Sequence, residues 1–143
     1  MNTTSIRPAA VGDPGYSRVL ACSPEAAAAA RRLVVTALEA WGIKELCDDA
    51  AQIASELATN AAVHTGPGSQ TFHLAVERRK DWVRISAEDS ALDRLPVRHS
   101  VDDDSLGGRG LHLVDVLCTR WGYDLHPESK TVWAELRVTG EGP

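Results

Sequence analysis

The stretch Cys47–His64 constrains this chain more than any other. Within it Ala50, Ile53, Ala54, Leu57, Ala58 and Ala61 recur at three- and four-residue steps. That spacing predicts a helix with one apolar stripe, which has to be covered by another layer. Glu56, Asn60 and His64 follow at i, i+4 and i+8, and helical geometry stacks such positions on one neighbouring face. Gly66, Pro67 and Gly68 then end the helix. A carboxylate, an amide and an imidazole therefore stand in a row beside a core, near a helix end that opens into a loop. Taken alone, such a row is more often the solvated side of a helix than a site. The rest of the chain decides between the two.

On the N-terminal side, the apolar run in Ser17–Cys22 predicts an edge strand. Ser23-Pro24-Glu25 reads as a helix start, with a Ser N-cap and Pro at the first helical position. This helix is expected to run to about Trp41, with Gly42 closing it. Beyond Gly68 the period changes to two. Thr71–Glu77 sets Phe72, Leu74 and Val76 against Thr71, His73 and Ala75, and Trp82–Glu88 sets Val83, Ile85 and Ala87 against Trp82, Arg84 and Ser86. With the polar turn Arg78–Asp81 between them, these runs predict an antiparallel hairpin. The polar span after Asp89 reads as a loop up to Leu106. Gly107-Gly108-Arg109-Gly110 then leads into a helical pattern that ends near Trp121-Gly122. Tyr123–His126 and Thr131–Val138 read as a last hairpin around Pro127–Lys130. The expected fold class is α+β, a two-layer α/β sandwich with helices on one face of a mixed, mostly antiparallel sheet. Residues 1–16, with Pro8, Gly12, Pro14 and Gly15, read as a flexible N-terminal tail, and 17–143 as a single domain.

Composition narrows the function classes. The length of 143 residues suits one domain with a real core. A net charge of −5 argues against a general nucleic-acid binder, which needs a basic surface. No apolar run is long enough to cross a membrane, and Met1–Ala10 has no signal core. Cys22, Cys47 and Cys118 are widely spaced and form no Cys-x-x-Cys pair. They fit a reducing, cytoplasmic setting better than a disulfide framework or a zinc site. For Trp41, Trp82, Trp121 and Trp133 the default expectation is the core.

Three polar islands carry the chemistry. Asn60 offers a neutral oxygen to Mg²⁺, and Glu56, one turn earlier, is placed to accept a proton from an attacking hydroxyl or water. Asp89, at a strand end, either begins a turn or accepts an exocyclic amine such as that of adenine. The glycines Gly107, Gly108 and Gly110 open a helix whose first amides lack intrahelical partners, which suits a phosphate. No Gly-Lys-Ser/Thr follows, so it is not a Walker loop, and it does not directly follow a strand as a Rossmann loop must.

Together, Glu56-Leu57-x-x-Asn60-Ala61-x-x-His64, Asp89, Gly108-x-Gly110-Leu111 and Thr131 in Lys-Thr-Val-Trp resemble the motif set of the GHKL ATPases, the superfamily of DNA gyrase and the histidine kinases. The chain is most similar to small single-domain anti-sigma-factor kinases and to regulatory ATP-binding proteins of actinomycetes, from about Ser17 to Val138, including Arg120–Gly122. The resemblance implies the Bergerat ATP-binding fold, with ATP and Mg²⁺ as cofactors. It makes Asn60 the Mg²⁺ ligand, Glu56 the general base, Asp89 the adenine acceptor and Thr131 its supporting contact. It gives the phosphates to the amides of Gly108, Gly110 and Leu111, with His64 and Arg109 as further ligands, and makes Ala91–Leu106 the ATP lid. It implies a serine/threonine protein kinase whose partners are a sigma factor and a phosphorylatable anti-sigma antagonist, often as a homodimer. One position departs from the family pattern. Asp89-Ser90-Ala91 stands where Asp-x-Gly is usual, and Ala91 reaches positive φ less freely than glycine. The departure supports the alternative of a non-catalytic, nucleotide-dependent protein-binding module.

Overall fold

A computed structural model describes residues 15–65, 70–90 and 106–138, with the backbone alone for 63–65 and 106–111. The chain begins with strand β1 (Gly15–Ala21) and helix α1 (Ala26–Ala40). The strand takes in Gly15 and Tyr16, which the sequence reading assigned to the tail. The helix starts two residues later than Ser23-Pro24 suggested. Ser23 accepts at its carbonyl from the Ala26 amide at 3.1 Å, as the turn ahead of the helix, and no side chain caps it. At the other end Gly42 adopts φ +75. The Gly42 amide donates to the Glu39 carbonyl and the Ile43 amide to the Leu38 carbonyl. This crossed pair of bonds satisfies the last carbonyls and turns the chain back.

Helix α2 (Cys47–Thr65) follows. All six residues of its predicted stripe, Ala50, Ile53, Ala54, Leu57, Ala58 and Ala61, are buried. The small residues let α1 and α3 approach closely on either side, while Ile53 and Leu57 fill the sheet interface; burying each contributes roughly 1.5–3 kcal/mol. Strands β2 (Thr71–Arg78) and β3 (Trp82–Asp89) form the predicted hairpin. Phe72, Leu74, Val76, Val83, Ile85 and Ala87 all face the core. Helix α3 (Leu106–Leu117) ends short of Trp121, because Arg120 already begins strand β4 (Arg120–Leu125). Strand β5 (Lys130–Arg137) includes Lys130, which the sequence reading placed in the turn.

The five strands run in the order β1-β2-β3-β5-β4. Every pairing is antiparallel, so the sheet has no parallel component among the described residues. α2 packs against α1, α3 and the central strand β3, which makes it the middle of the helical layer. None of the tryptophans is fully buried, although Trp41 and Trp121 pack against the core from its edge. Trp41 is half-buried and stacks on Tyr16 with ring centroids 5.8 Å apart. Trp82 and Trp133 alternate out of register with the core set and stand on the sheet face away from the helices. There Trp133 packs on Gly122.

Candidate functional site

Connectivity brings the polar islands to one end of the sheet. α2 leads into β2, whose first residues pair with the end of β3 through His73↔Glu88. β5 begins at that same end, with Asp89↔Lys130. β4 starts at the opposite end, where Arg120 pairs with Glu135, and only Cys118 and Thr119 separate it from α3. α3, about 18 Å long at 1.5 Å per residue, therefore points its N-terminus back toward Asp89 and the C-terminal half of α2.

On α2, Glu56 is half-buried, and its Oε2 accepts from Gln52 Nε2 at 3.0 Å. Asn60 is only 4% exposed. Its Oδ1 is buried with no hydrogen-bond partner among the described residues. An orphaned buried amide oxygen is costly to fold around, and it fits a cation or its bound water as the missing partner. His64 lies in α2, but its side chain falls outside the described residues.

Asp89 is buried at the end of β3, its side chain 1% exposed. Its Oδ1 accepts from Lys130 Nζ at 2.8 Å, and the Lys130 side chain is 0% exposed. This contact was not foreseen. Lys130, Val132, Ala134 and Leu136 form one alternating set that faces the helices, so Thr131 faces the other way. Thr131 Oγ1 is 3.0 Å from His126 Nε2. Thr131, expected from the resemblance as a supporting contact to adenine, stands by period-two geometry on the face opposite Asp89, and Lys130 holds the place beside Asp89. The signal was in the sequence, since extending the Val132, Ala134, Leu136 alternation back by two lands on Lys130.

Gly107, Gly108 and Gly110 lie in the first turns of α3, at the helix opening where the sequence put them. The four amides that a helix starting at Leu106 leaves over belong to residues 106–109. Of the three expected phosphate donors, Gly108 is among them, while the Gly110 and Leu111 amides have intrahelical carbonyls within reach. The Arg109 and Leu111 side chains lie outside the described residues, as does the expected lid Ala91–Leu106 except for the backbone of Leu106, which begins α3.

An open cleft of about 300 Å³ is lined by Asp89, Ser90, Glu88, His73, Thr71 and Ser129, among others. It touches Asp89 but no α2 residue, and its Val19, His73 and Glu88 form a cross-strand row that alternates with the core-facing set. Ser129 donates to Glu88 Oε2 at 2.6 Å on its rim. At the far end of the outer face, Glu135 takes Arg84 at 2.7 Å and Arg120 at 2.6 Å. Burial pushes the Glu135 carboxyl up, but the hydrogen bonds from Arg120 and Arg84 outweigh it and hold the carboxyl below its ordinary range. Arg84 also lies 4.4 Å over the Trp133 ring. This group braces the sheet and is remote from Asp89 along β3. Burial, then the Glu39 carboxylate, push the Cys47 thiol up, which disfavours the reactive thiolate. Among the described residues no His, Cys, Asp and Glu cluster forms a metal cage, and no helix is long and apolar enough to cross a membrane.

No curated protein matches the chain significantly. The family model for the histidine kinase-like ATPase domain matches residues 20–136. That span runs from β1 through the last residues of β5 and takes in Glu56, Asn60, Asp89 and the α3 glycines. With the antiparallel sheet, the three helices on one face and the polar islands gathered at one end, the chain belongs to the histidine kinase-like ATPase domain family, the GHKL type.

Proposed function

We propose that this domain binds Mg-ATP and transfers the γ-phosphoryl group to a serine or threonine of a partner protein, as an anti-sigma-type regulator. The observation that carries the reading is the buried Asn60 Oδ1, without a partner among the described residues, one turn from the Glu56 carboxylate. Bound at Asn60, Mg²⁺ would neutralise phosphate charge that the acidic chain does not offset by itself. Glu56 takes the proton of the attacking hydroxyl as the new P–O bond forms and the bond to the ADP oxygen breaks. Asp89 accepts the adenine amine, and the free amides at the start of α3, Gly108 among them, donate to phosphate oxygens. Strand and helix frames hold these groups in place, and positioning is most of what phosphoryl transfer demands.

The regulatory part of the proposal rests on the motif resemblance. The partners would be a sigma factor and an antagonist protein bearing the acceptor hydroxyl, in the cytoplasm, with the domain as a homodimer. One observation favours the second reading, a nucleotide-dependent binding module without turnover. Glu56 Oε2 already accepts from Gln52 Nε2, so that oxygen is engaged within the helix rather than held toward an acceptor hydroxyl.

Calorimetric titration of ATP, with and without Mg²⁺, into the wild type and Asn60→Ala tests the site. Mg²⁺-dependent binding that Asn60→Ala abolishes or greatly weakens supports it, and no binding by the wild type refutes it. Glu56→Ala then separates the two readings. Retained binding with lost transfer to the partner marks a kinase, whereas transfer unchanged in Glu56→Ala removes Glu56 from its role.

A further inference from the structure

The sheet face turned away from the helices carries an uneven charge pattern. Strand register sorts its side chains into cross-strand rows. Trp82 stands beside Arg137, and the next row holds Arg84, Glu135 and Arg120. Trp133 follows, and at the far end Glu88 and Asp124 flank Thr131. Guanidinium groups therefore outnumber carboxylates at the Arg120 end, in a chain whose net charge is −5. Beside this group on β2, Glu77 pairs with Arg79 at 3.6 Å and leaves the balance unchanged.

Bracing the sheet uses only part of the group. Glu135 is buried and both its oxygens are taken, Oε2 by Arg84 and Oε1 by Arg120 Nε. Arg120 meets Glu135 through Nε alone, and its side chain is 62% exposed, so its two terminal nitrogens remain for another acceptor. Arg137 is exposed and lies 4.7 Å over the Trp82 ring. Its guanidinium has no carboxylate partner among the described residues. Arg120 and Arg137 sit on neighbouring strands, one row apart, a diagonal of roughly 7–8 Å. Along an extended chain, side chains of one face recur at about 6.8 Å, which matches that diagonal. A guanidinium fork takes a carboxylate by two parallel hydrogen bonds, and arginine with tryptophan is the pairing that interfaces favour at their energetic centres.

We propose that this end of the outer sheet face docks an extended acidic segment of a partner protein. Two of its carboxylates, two residues apart, meet Arg120 and Arg137, and Trp82 and Trp133 supply the apolar floor. A nucleic-acid strand fits less well. Each ring already has a guanidinium over it, Arg84 at 4.4 Å from Trp133 and Arg137 at 4.7 Å from Trp82, where a base would otherwise stack. The chain's net negative charge also opposes a polyphosphate at long range. This surface lies across the sheet from α2, so the proposal does not depend on nucleotide binding.

The test titrates nitrogen-15-labelled protein with a capped peptide of alternating glutamate and serine, with a lysine–serine peptide and oligothymidylate as controls. The acidic peptide alone should shift the Trp82 and Trp133 indole signals saturably, and more weakly as salt is raised. Arg137→Gln should weaken that binding about threefold or more, and Arg120→Gln/Arg137→Gln about tenfold. The Arg137 guanidinium makes no hydrogen bond among the described residues, so the single variant keeps the fold and decides even if the double variant does not fold. No saturable shift, or equal binding by the wild type and Arg137→Gln, overturns the proposal. Preferential binding of oligothymidylate overturns it in favour of nucleic acid. Sedimentation as a dimer that Arg137→Gln dissociates, with no peptide binding, overturns it in favour of a second copy of the chain.

Discussion

Removing the ammonium from Lys130 is the most informative stability experiment on this domain. Lys130→Met keeps most of the side-chain volume and leaves the Asp89 carboxylate, 1% exposed, without the cation 2.8 Å from its Oδ1. Breaking a buried pair on one side costs about 3–5 kcal/mol. A domain of this size has roughly 5–15 kcal/mol in total, so a large share of its stability is lost. Asp89→Leu alone takes the carboxylate away from the buried ammonium and costs a similar amount, about 3–5 kcal/mol. The double variant Asp89→Leu/Lys130→Met removes both charges of the pair. It should fall close to the wild type or somewhat above it, because apolar replacements of buried pairs are often neutral or stabilising. The cycle therefore predicts a coupling of several kcal/mol of the compensating sign. Urea unfolding followed by the fluorescence of the four tryptophans reads all four proteins, with a common m-value as the check that the denatured state is unchanged. A cost below about 1 kcal/mol for Lys130→Met, or a double variant as damaged as the sum of the singles, would refute the picture of a closed, mutually dependent pair.

Three further outcomes follow from the geometry. Gly122→Ala places a Cβ 2.9 Å from Trp133 Cζ2, and that ring is tied to Arg84 at 4.4 Å; the substitution should cost about 1–3 kcal/mol by urea unfolding, and a gain in stability would show that the ring moves freely. Glu135 has its folded pKa below the ordinary 4.5, so its contribution is complete above that value and is lost as pH falls through the lower folded value; the acid limb of a stability–pH curve below about pH 4.5 should be shallower in Glu135→Gln, and coincident limbs would contradict this. Asn60→Ala deletes an oxygen that has no hydrogen-bond partner among the described residues, so unfolding free energy should change by less than about 1 kcal/mol while Mg-ATP binding is lost; a large destabilisation would mean that the oxygen is structurally engaged.

Sequence periodicity made much of this legible, for reasons that particular residues show. The α2 stripe and the β2–β3 hairpin were readable because each buried face carries an unbroken apolar period, Ala50 to Ala61 at helical spacing and Phe72 to Ala87 at strand spacing. The polar row of Glu56 and Asn60 was readable because it rides on that helix. Lys130 was missed because a lysine beside Pro127-Glu128-Ser129 looks like turn chemistry, and only the partner strand supplies the charge that lets it be buried. The end of α3 was misjudged because the apolar pattern runs on through Trp121, while Arg120 already pairs in β4. The tryptophans on the outer face went unrecognised because a cation over an aromatic ring depends on Arg84, Arg120 and Arg137, and the spacing of any one strand does not reveal such neighbours.

The strand register also governs how this site comes into being. Asp89 meets Lys130 across a sequence separation of 41 residues, and β1 joins the sheet beside β2 through pairs such as Gly15↔Glu77. Such pairings close large loops before they return any energy, and sheets built from them form slowly. Asn60, Asp89 and the start of α3 are thus brought together only once the whole sheet has assembled, and no fragment of the chain carries the pocket. A nucleotide at a hundredfold excess over its dissociation constant would accordingly add about 2.7 kcal/mol to the global unfolding free energy, making thermal or urea unfolding a direct gauge of occupancy.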